Sequence, residues 1–296
     1  ESAPDPARPG EKQEGAFYVW TAEEIRRALG DERAAVFGFV HGVEPQGNAN
    51  ILYLARTMEE AAKKFNRPPE EIRGLLADSR ALLFREREKR PRPHLDDKTL
   101  VSWNGLAISA FARAHQVLDD PACLNAARRA AGFILDNLYD AKSRQLRRRY
   151  REGEARYDAH LEDYAFFTMG LLDLYEAEFD IRWLERAVEL TERQNALFYD
   201  QNAGGFFDTS GADSTLLFRT KESYDGAEPS GNSVATLNLL RLAQMTNNHA
   251  WRELAERSLA AFAKRLEEEP ESLPLMLAAL DFHLDKPKQI IIAGPR

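Results

Sequence analysis

Three short polar residues stand at recurring stations in this chain: Asn104, Asp163 and Asn232. Each opens an apolar helical run that breaks near Asp120, Asp180 or Asn248 and gives way to a second, more charged run. Around the stations cluster Asp96, Asp97, Lys98, Trp103, His160, Glu162, Tyr164, Lys221, Glu222, Tyr224, Asp225, Glu228 and Ser230. Carbohydrate sites use this mixture. Aromatic faces stack on sugar rings, amides and carboxylates bind hydroxyls, and a pair of carboxylates can act as acid and base in glycoside hydrolysis. On this reading Asp97, Glu162, Asp163, Glu222 and Glu228 are the catalytic candidates. Asp96, Trp103, Asn104, His160, Tyr164, Asp225, Ser230 and Asn232 are the substrate-binding candidates.

A plainer reading stands beside each of these. Asn and Asp are preferred N-cap residues, which satisfy helix N–H groups that have no partner within the helix. Asn104, Asp163 and Asn232 fit that role, and Asp120, Asp180 and Asn248 fit it better. Glu162-Asp163 offers one carboxylate to cap and another to face a ligand. Glu222, Asp225 and Glu228 occupy a loop punctuated by Gly226 and Pro229, where binding residues often sit.

Of the six histidines, His160 lies beside Glu162 and Asp163, and His94 lies close to Asp96. A sugar epimerase would need two bases on opposite faces of the reacting carbon, and His160 is the candidate for one. His115, His249 and His283 fall on helical runs and read as packing residues. No tight His/carboxylate spacing suggests a metal, and no glycine-rich phosphate loop or GxSxG element is present, so no metal or cofactor is expected. Arg144, Arg147, Arg148, Arg149 and Arg151 form a basic run. It reads first as a charge-protected strand edge and second as a clamp for an anionic substrate.

The elements that hold these residues repeat. The stations at 104, 163 and 232 lie 59 and 69 residues apart. Stacked two-helix units of this length make a solenoid or a closed ring. The spacing predicts inner helices over about 104–118, 163–178 and 232–246. Outer helices follow over about 121–138, 181–198 and 249–268, and a further helix over about 272–284. The first helix of each pair is apolar on most faces and the second is charged on one, which puts the first inside. In such a ring every inner helix starts at the same end, so Asn104, Asp163 and Asn232 are expected around one mouth. The connector QLRRRYREGEARYDA carries a Gly153 turn between alternating residues, a β-hairpin signal. The connector from Gly204 to Gly231 reads as a longer hairpin turning near Gly211. The fold class is therefore all-α: a partial (α/α) toroid with short β-hairpins on one rim.

Upstream, Thr21-Ala-Glu-Glu24 and Thr57-Met-Glu-Glu60 fit the capping-box pattern. Helices are expected over about 22–29, 31–38, 57–66 and 69–90, with a loop and a short strand over 43–54. Residues 1–15 read as a loosely ordered segment, 16–286 as the toroid region and 287–296 as the start of a C-terminal strand. Glu1 and the closing KQIIIAGPR both read as ends cut from something longer.

A chain of 296 residues can bury a large core. Its net charge of −8 and pI near 5.5 argue against nucleic acid as a partner. No apolar run approaches the ~18 residues of a membrane span, so no membrane partner is expected, and the expected location is cytoplasmic. The single cysteine, Cys123, excludes an internal disulfide and any CxxC site. It shares its offset from the helix break with Trp183 and Trp251 and reads as a buried packing position.

Four segments in order, EGAFYVWTAEEI (14–25), DDKTLVSWNGLAISAFARA (96–114), LEDYAFFTMGLLDLYEA (161–177) and DGAEPSGNSVATLNLLRLA (225–243), resemble one family. It is the thioredoxin-domain-containing YyaL-like family, whose animal members are called spermatogenesis-associated proteins. The resemblance spans about residues 14–294. It implies a longer protein in which a thioredoxin-like domain precedes a six-hairpin glycosidase-like toroid, related in fold to N-acylglucosamine 2-epimerases and unsaturated glucuronyl hydrolases. On that resemblance, the thioredoxin-like part and the first toroid helices are expected to lie outside this chain. The family's motif residues fall here on Asp96, Asp97, Lys98, Trp103, Asn104, Glu162, Asp163, Tyr164, Glu228, Ser230 and Asn232.

Two functions follow. One is a carbohydrate-active site at the mouth, a glycoside hydrolase or a sugar epimerase. The other is a non-catalytic interaction module partnered with the thioredoxin-like domain. Redox processing of a client is a third idea that a chain with one cysteine does not support.

Overall fold

A computed structural model describes residues 2–4, 10–46, 49–212 and 216–285. The chain divides into two compact units, 1–96 and 97–296, where the sequence reading took 16–286 as one region.

In the first unit, β1 (Ser2–Pro4) pairs antiparallel with β2 (Lys12–Glu14), so part of the segment expected as loose loop is a two-stranded ribbon. Helices α1 (Ala22–Leu29), α2 (Asp31–Val40), α3 (Met58–Phe65) and α4 (Pro69–Arg87) follow. Thr21 and Glu24 close a reciprocal capping box on α1, and Thr57 and Glu60 do the same on α3. Ile25, Phe37, Val40, Ile72 and Leu76 form this unit's core. No strand forms over 43–54 among the described residues. Asn50 instead makes a single bridge to Trp20, because Asn50 also holds the Trp20 carbonyl through its side chain.

The second unit opens with β3 (Thr99–Leu100) and three helical hairpins. They are α5 (Val101–Leu118) with α6 (Pro121–Asn137), α7 (Leu161–Glu178) with α8 (Ile181–Phe198), and α9 (Gly231–Thr246) with α10 (His249–Glu268). After a 3₁₀ turn, α11 (Pro274–Leu284) packs on α9. Between the first two hairpins lie β4 (Tyr139–Asp140), β5 (Gln145–Arg151) and β6 (Glu154–Asp158). β5 pairs antiparallel with β6 as the Gly153 turn predicts, and also with β3 and β4. In the connector after α8, the described residues form no strand ladder. Asp208 N–H donates to Thr220 O at 2.9 Å, and Tyr199 bridges Phe206.

One turn recurs in all three hairpins. Asp119, Phe179 and Asn247 end the inner helices in the left-handed region, at φ 54°, 58° and 55°. The next residue caps the outer helix: Asp120 accepts from Ala122 N–H, Asp180 from Arg182 N–H and Asn248 from Trp251 N–H. The same cap chemistry at the same place explains the period seen in the sequence.

α7 and α9 are buried on nearly all sides, as their apolar runs predict, whereas α5 keeps one side exposed. Phe166, Phe167, Leu171, Val234 and Leu239 are wholly buried. α5 and α7 run parallel and touch backbone to backbone. A Cβ on Gly105 would stand 2.5 Å from the Phe166 carbonyl carbon, and one on Gly170 would stand 2.7 Å from Gly105 O. Cys123, expected inside, is only half-buried. It lies in the first turn of α6, with its Sγ 3.8 Å from Asp120 Oδ2. The expected 287–296 strand lies outside the described residues. Among those residues no helix is long and apolar enough to cross a membrane.

Candidate functional site

The inner helices do start at one end of the second unit, and a cavity of about 610 Å³ opens there. Trp103 from the first turn of α5, Glu162 from α7, Asp208 from the long connector, and Glu222, Tyr224, Glu228 and Ser230 from the loop before α9 line it. Leu161 and Phe166 add apolar wall. Trp103 and Tyr224 are 62% and 56% exposed, so both rings are accessible to a ligand. The Trp103 indole donates from Nε1 to Glu228 Oε2 at 3.2 Å, which ties α5 to the loop before α9.

The residues at the three stations are not the N-caps. The N-caps of the inner helices are Leu100, His160 and Ser230. Asn104 sits a turn inside α5, and its Nδ2 donates to Leu100 O at 2.8 Å. Asn232 is wholly buried. Its Oδ1 accepts from Phe206 N–H at 2.7 Å, and its Nδ2 donates to Phe206 O and Glu222 O. It thereby acts as a piece of strand that fixes the connector against α9.

Asp163 is buried beneath the cavity and does not line it. Its Oδ1 accepts from Ser102 N–H at 3.1 Å, and its Oδ2 from His160 N–H at 2.9 Å and Arg148 Nη1 at 3.2 Å. Burial pushes its carboxyl up to about 6, against the pull of Arg148 and of the two N–H groups. Arg148, on β5, also donates to Glu162 Oε1 at 2.8 Å, so one guanidinium joins the buried aspartate to a cavity-lining glutamate. Burial and the nearby Arg148 hold His160 below its ordinary value. Its ring is half-buried and does not line the cavity.

Tyr164 is buried, and its hydroxyl accepts from Leu146 N–H at 2.9 Å, pinning the β5 hairpin to α7. Asp225 staples the loop. Its Oδ1 accepts from Ser230 N–H and its Oδ2 from Leu275 N–H at the start of α11, both at 2.8 Å. Ser230 lines the cavity, but its hydroxyl is spent on Ser233. Asp97 pairs with Arg151 at 2.7 Å, outside the cavity lining. Asp96, exposed, ends the first unit.

Of the five catalytic candidates, the structure brings Glu162, Glu222 and Glu228 to the cavity. Of the binding candidates it brings Trp103 and Ser230. Asp208 belongs with them and has no tie to the helix-start spacing that drew attention to the others. It stands in the GGFFD stretch, where only the folded connector turns it inward. Its oxygens accept from Glu222 N–H at 2.8 Å and from the Thr220 hydroxyl at 2.7 Å.

The basic run offers no free anion clamp. Arg144 pairs with Glu189 and Glu192, Arg147 with Asp158, Arg148 with Glu162 and Asp163, and Arg151 with Asp97. Arg149 lies over the Tyr157 ring. Among the described residues no group of three or more His, Cys, Asp or Glu could hold a metal ion.

No family model matches the chain. Human spermatogenesis-associated protein 20 is 36% identical over 328 residues, a match that takes in 100% of this chain and 42% of that protein. This chain belongs with the spermatogenesis-associated proteins. An uncharacterized Caenorhabditis elegans protein is 33% identical over 296 residues, covering 91% of this chain and 40% of its own length. The chain thus spans about two-fifths of the curated relatives it matches. Among solved structures, cellobiose 2-epimerase from Bacillus thermoamylovorans superposes with a TM-score of 0.53 at 14% identity, covering 65% of this chain and 58% of its own. That likeness establishes the α/α toroid fold.

Proposed function

We propose that the second unit binds a carbohydrate in the cavity at the start of its inner helices and processes it there. The observation that carries this reading is the lining itself: two exposed aromatic rings, Trp103 and Tyr224, set among Glu162, Asp208, Glu222 and Glu228. A fold shared with a sugar epimerase does not fix a reaction. The residues favour hydrolysis over epimerisation, because carboxylates line the cavity while His160, the candidate base, does not. The acid–base pair is drawn from Glu162, Asp208, Glu222 and Glu228. Retention needs a pair about 5–5.5 Å apart, and inversion about 6.5–9.5 Å.

A thermal-shift screen of the chain, and of the longer protein, against simple sugars and disaccharides tests the reading. A ligand that binds only the native state raises the melting temperature. A shift that disappears in Trp103→Ala supports the cavity as the site. A well-folded sample with no shift for any sugar would move the reading to the second one.

That second reading is a non-catalytic module partnered with a thioredoxin-like domain. What favours it is the exposed apolar side of α5, where Phe111, Val117 and Leu118 are 44%, 82% and 69% exposed. Large apolar side chains left exposed on one helix are the kind of surface a partner covers.

A further inference from the structure

The cavity has a charge sign that selects its ligand. Four carboxylates line it, Glu162, Asp208, Glu222 and Glu228, and no lysine or arginine does among the described residues. The neighbouring cations are already committed. Arg148 is shared by Glu162 and Asp163, and Lys221 Nζ donates to Asp200 Oδ2 at 2.7 Å and Gly204 O at 2.6 Å. The three inner-helix starts supply some positive potential, roughly half a charge each. With Arg148 included, that is about +2.5 against the four lining carboxylates and Asp163, so the negative sign still wins.

Two of the acids also keep bonding capacity. Glu228 receives Trp103 Nε1 on Oε2, and Glu222 receives Ser223 N–H on Oε1 at 3.1 Å. The other oxygen of each has no protein donor among the described residues. The exposed rings of Trp103 and Tyr224 attract a cation as well as a sugar ring.

From the aromatic faces, the spare carboxylate oxygens and the absence of a lining cation, we infer that the ligand is a saccharide carrying a free protonated amine, and that uronic acids are rejected. This rests on the reading of the cavity as a saccharide site. A volume of about 610 Å³ has room for one or two sugar units.

Titration calorimetry on the full chain, with three disaccharides of the same size, tests it. The probes are a glucosamine disaccharide, its N-acetylated form and a uronic acid disaccharide, each at low and high ionic strength. The glucosamine form is expected to bind at least roughly tenfold more tightly than the N-acetylated form, with the advantage shrinking as salt screens the acids. The uronic form is expected not to bind.

The double variant Glu222→Gln, Glu228→Gln changes only exposed side chains, so it keeps the fold. It should bring the ratio of glucosamine to N-acetylated affinity close to one, whatever it does to the affinity for each, and an undiminished ratio overturns the amine inference. Equal or tighter binding of the N-acetylated or uronic form by the natural chain overturns the amine inference and leaves the saccharide site standing. Failure of all three to bind a folded sample overturns both.

Discussion

Asp163, three residues into α7, holds the backbone N–H of Ser102 at the start of α5, 61 residues earlier, at 3.1 Å. The bond runs from one inner helix to the next just beneath the cavity. The adjacent Trp103 and Glu162 are thereby placed by the same carboxylate, one through its neighbour Ser102 and one through Arg148. Asp163→Ala removes an acceptor from two buried N–H groups and from Arg148. The expected loss is about 2–5 kcal/mol of unfolding free energy, since unsatisfied buried donors cost ~1–3 kcal/mol each. Urea denaturation followed by circular dichroism measures it, and a loss under ~1 kcal/mol would mean the bond is dispensable.

The pH dependence of this clamp has a definite sign. The folded carboxyl is lifted to about 6, above an unfolded value of ~3.9. The native state therefore holds the proton more tightly. The stabilisation this gives is complete below about pH 4 and is lost as pH rises through 6. Asp163→Asn cannot titrate there. Between pH 4 and pH 7 the natural chain should lose up to roughly 3 kcal/mol relative to that variant. Denaturation curves for both at four pH values in this range decide it. A constant difference between them would refute the assignment.

Asp173 predicts the opposite sign. It is buried, and it receives Ser109 Oγ at 2.5 Å, Arg113 Nε at 2.9 Å and Arg241 Nη2 at 2.7 Å. Burial alone would raise its carboxyl, but Arg241, Arg113 and Ser109 together hold it below its usual value. Its contribution is therefore present above pH ~4 and lost on acidification below the unfolded value. Asp173→Ala takes the buried partner from Arg241, itself 8% exposed, and leaves it the more exposed Glu176 at 2.8 Å, which should cost about 3 kcal/mol at neutral pH. The cost should shrink in acid. A variant as stable as the natural chain at pH 7 would show that α5, α7 and α9 do not depend on this ion network.

How much of this was legible in the sequence follows from which interactions are local. The helix pairs, the Gly153 hairpin and the caps at Asp120, Asp180 and Asn248 depend on residues a few positions apart, and pattern reading found them. The inner-helix starts were misplaced by one to three residues because Asn104, Asp163 and Asn232 mimic caps. Asn104 bonds back to Leu100 within its own helix, whereas the partners of Asp163 and Asn232, which are Ser102, Arg148 and Phe206, are set by folding. Asp208 was missed for the same reason, since only the connector's path brings it to the cavity. The apolar inner helices announced themselves. Gly105 and Gly170 did not, because only the packed pair shows that any side chain there meets backbone.

Those glycines make a packing prediction. A Cβ at Gly105 would lie 2.5 Å from the Phe166 carbonyl carbon, a contact that no rotamer change relieves. Gly→Ala normally stabilises a helix interior by about 1 kcal/mol. Here overpacking should outweigh that gain, for a net loss of about 1–3 kcal/mol in Gly105→Ala. Gly74→Ala is the control. It lies in α4, and its added Cβ would meet nothing within 4 Å. Thermal melts of the two variants should move in opposite directions, and matching shifts would remove the close-approach argument.

The last prediction concerns a residue that costs stability. Phe179 ends α7 at φ 58°, where its counterparts ending the other inner helices are Asp119 and Asn247. Asp and Asn tolerate the left-handed region better than a bulky aromatic does. Phe179 recovers little through packing. It is 76% exposed, and its only ring neighbour among the described residues is Tyr175, edge-on at 6.2 Å. Phe179→Gly or Phe179→Asn relieves the backbone and gives a better helix end, which should raise unfolding free energy by about 0.5–1 kcal/mol. The turn before Asp180 should be unchanged, because the Asp180 cap accepts from Arg182 N–H and does not use the Phe179 side chain. If either substitution destabilises instead, the exposed ring of Phe179 is held by a contact, and the place to look for it is a partner surface laid against the end of α7.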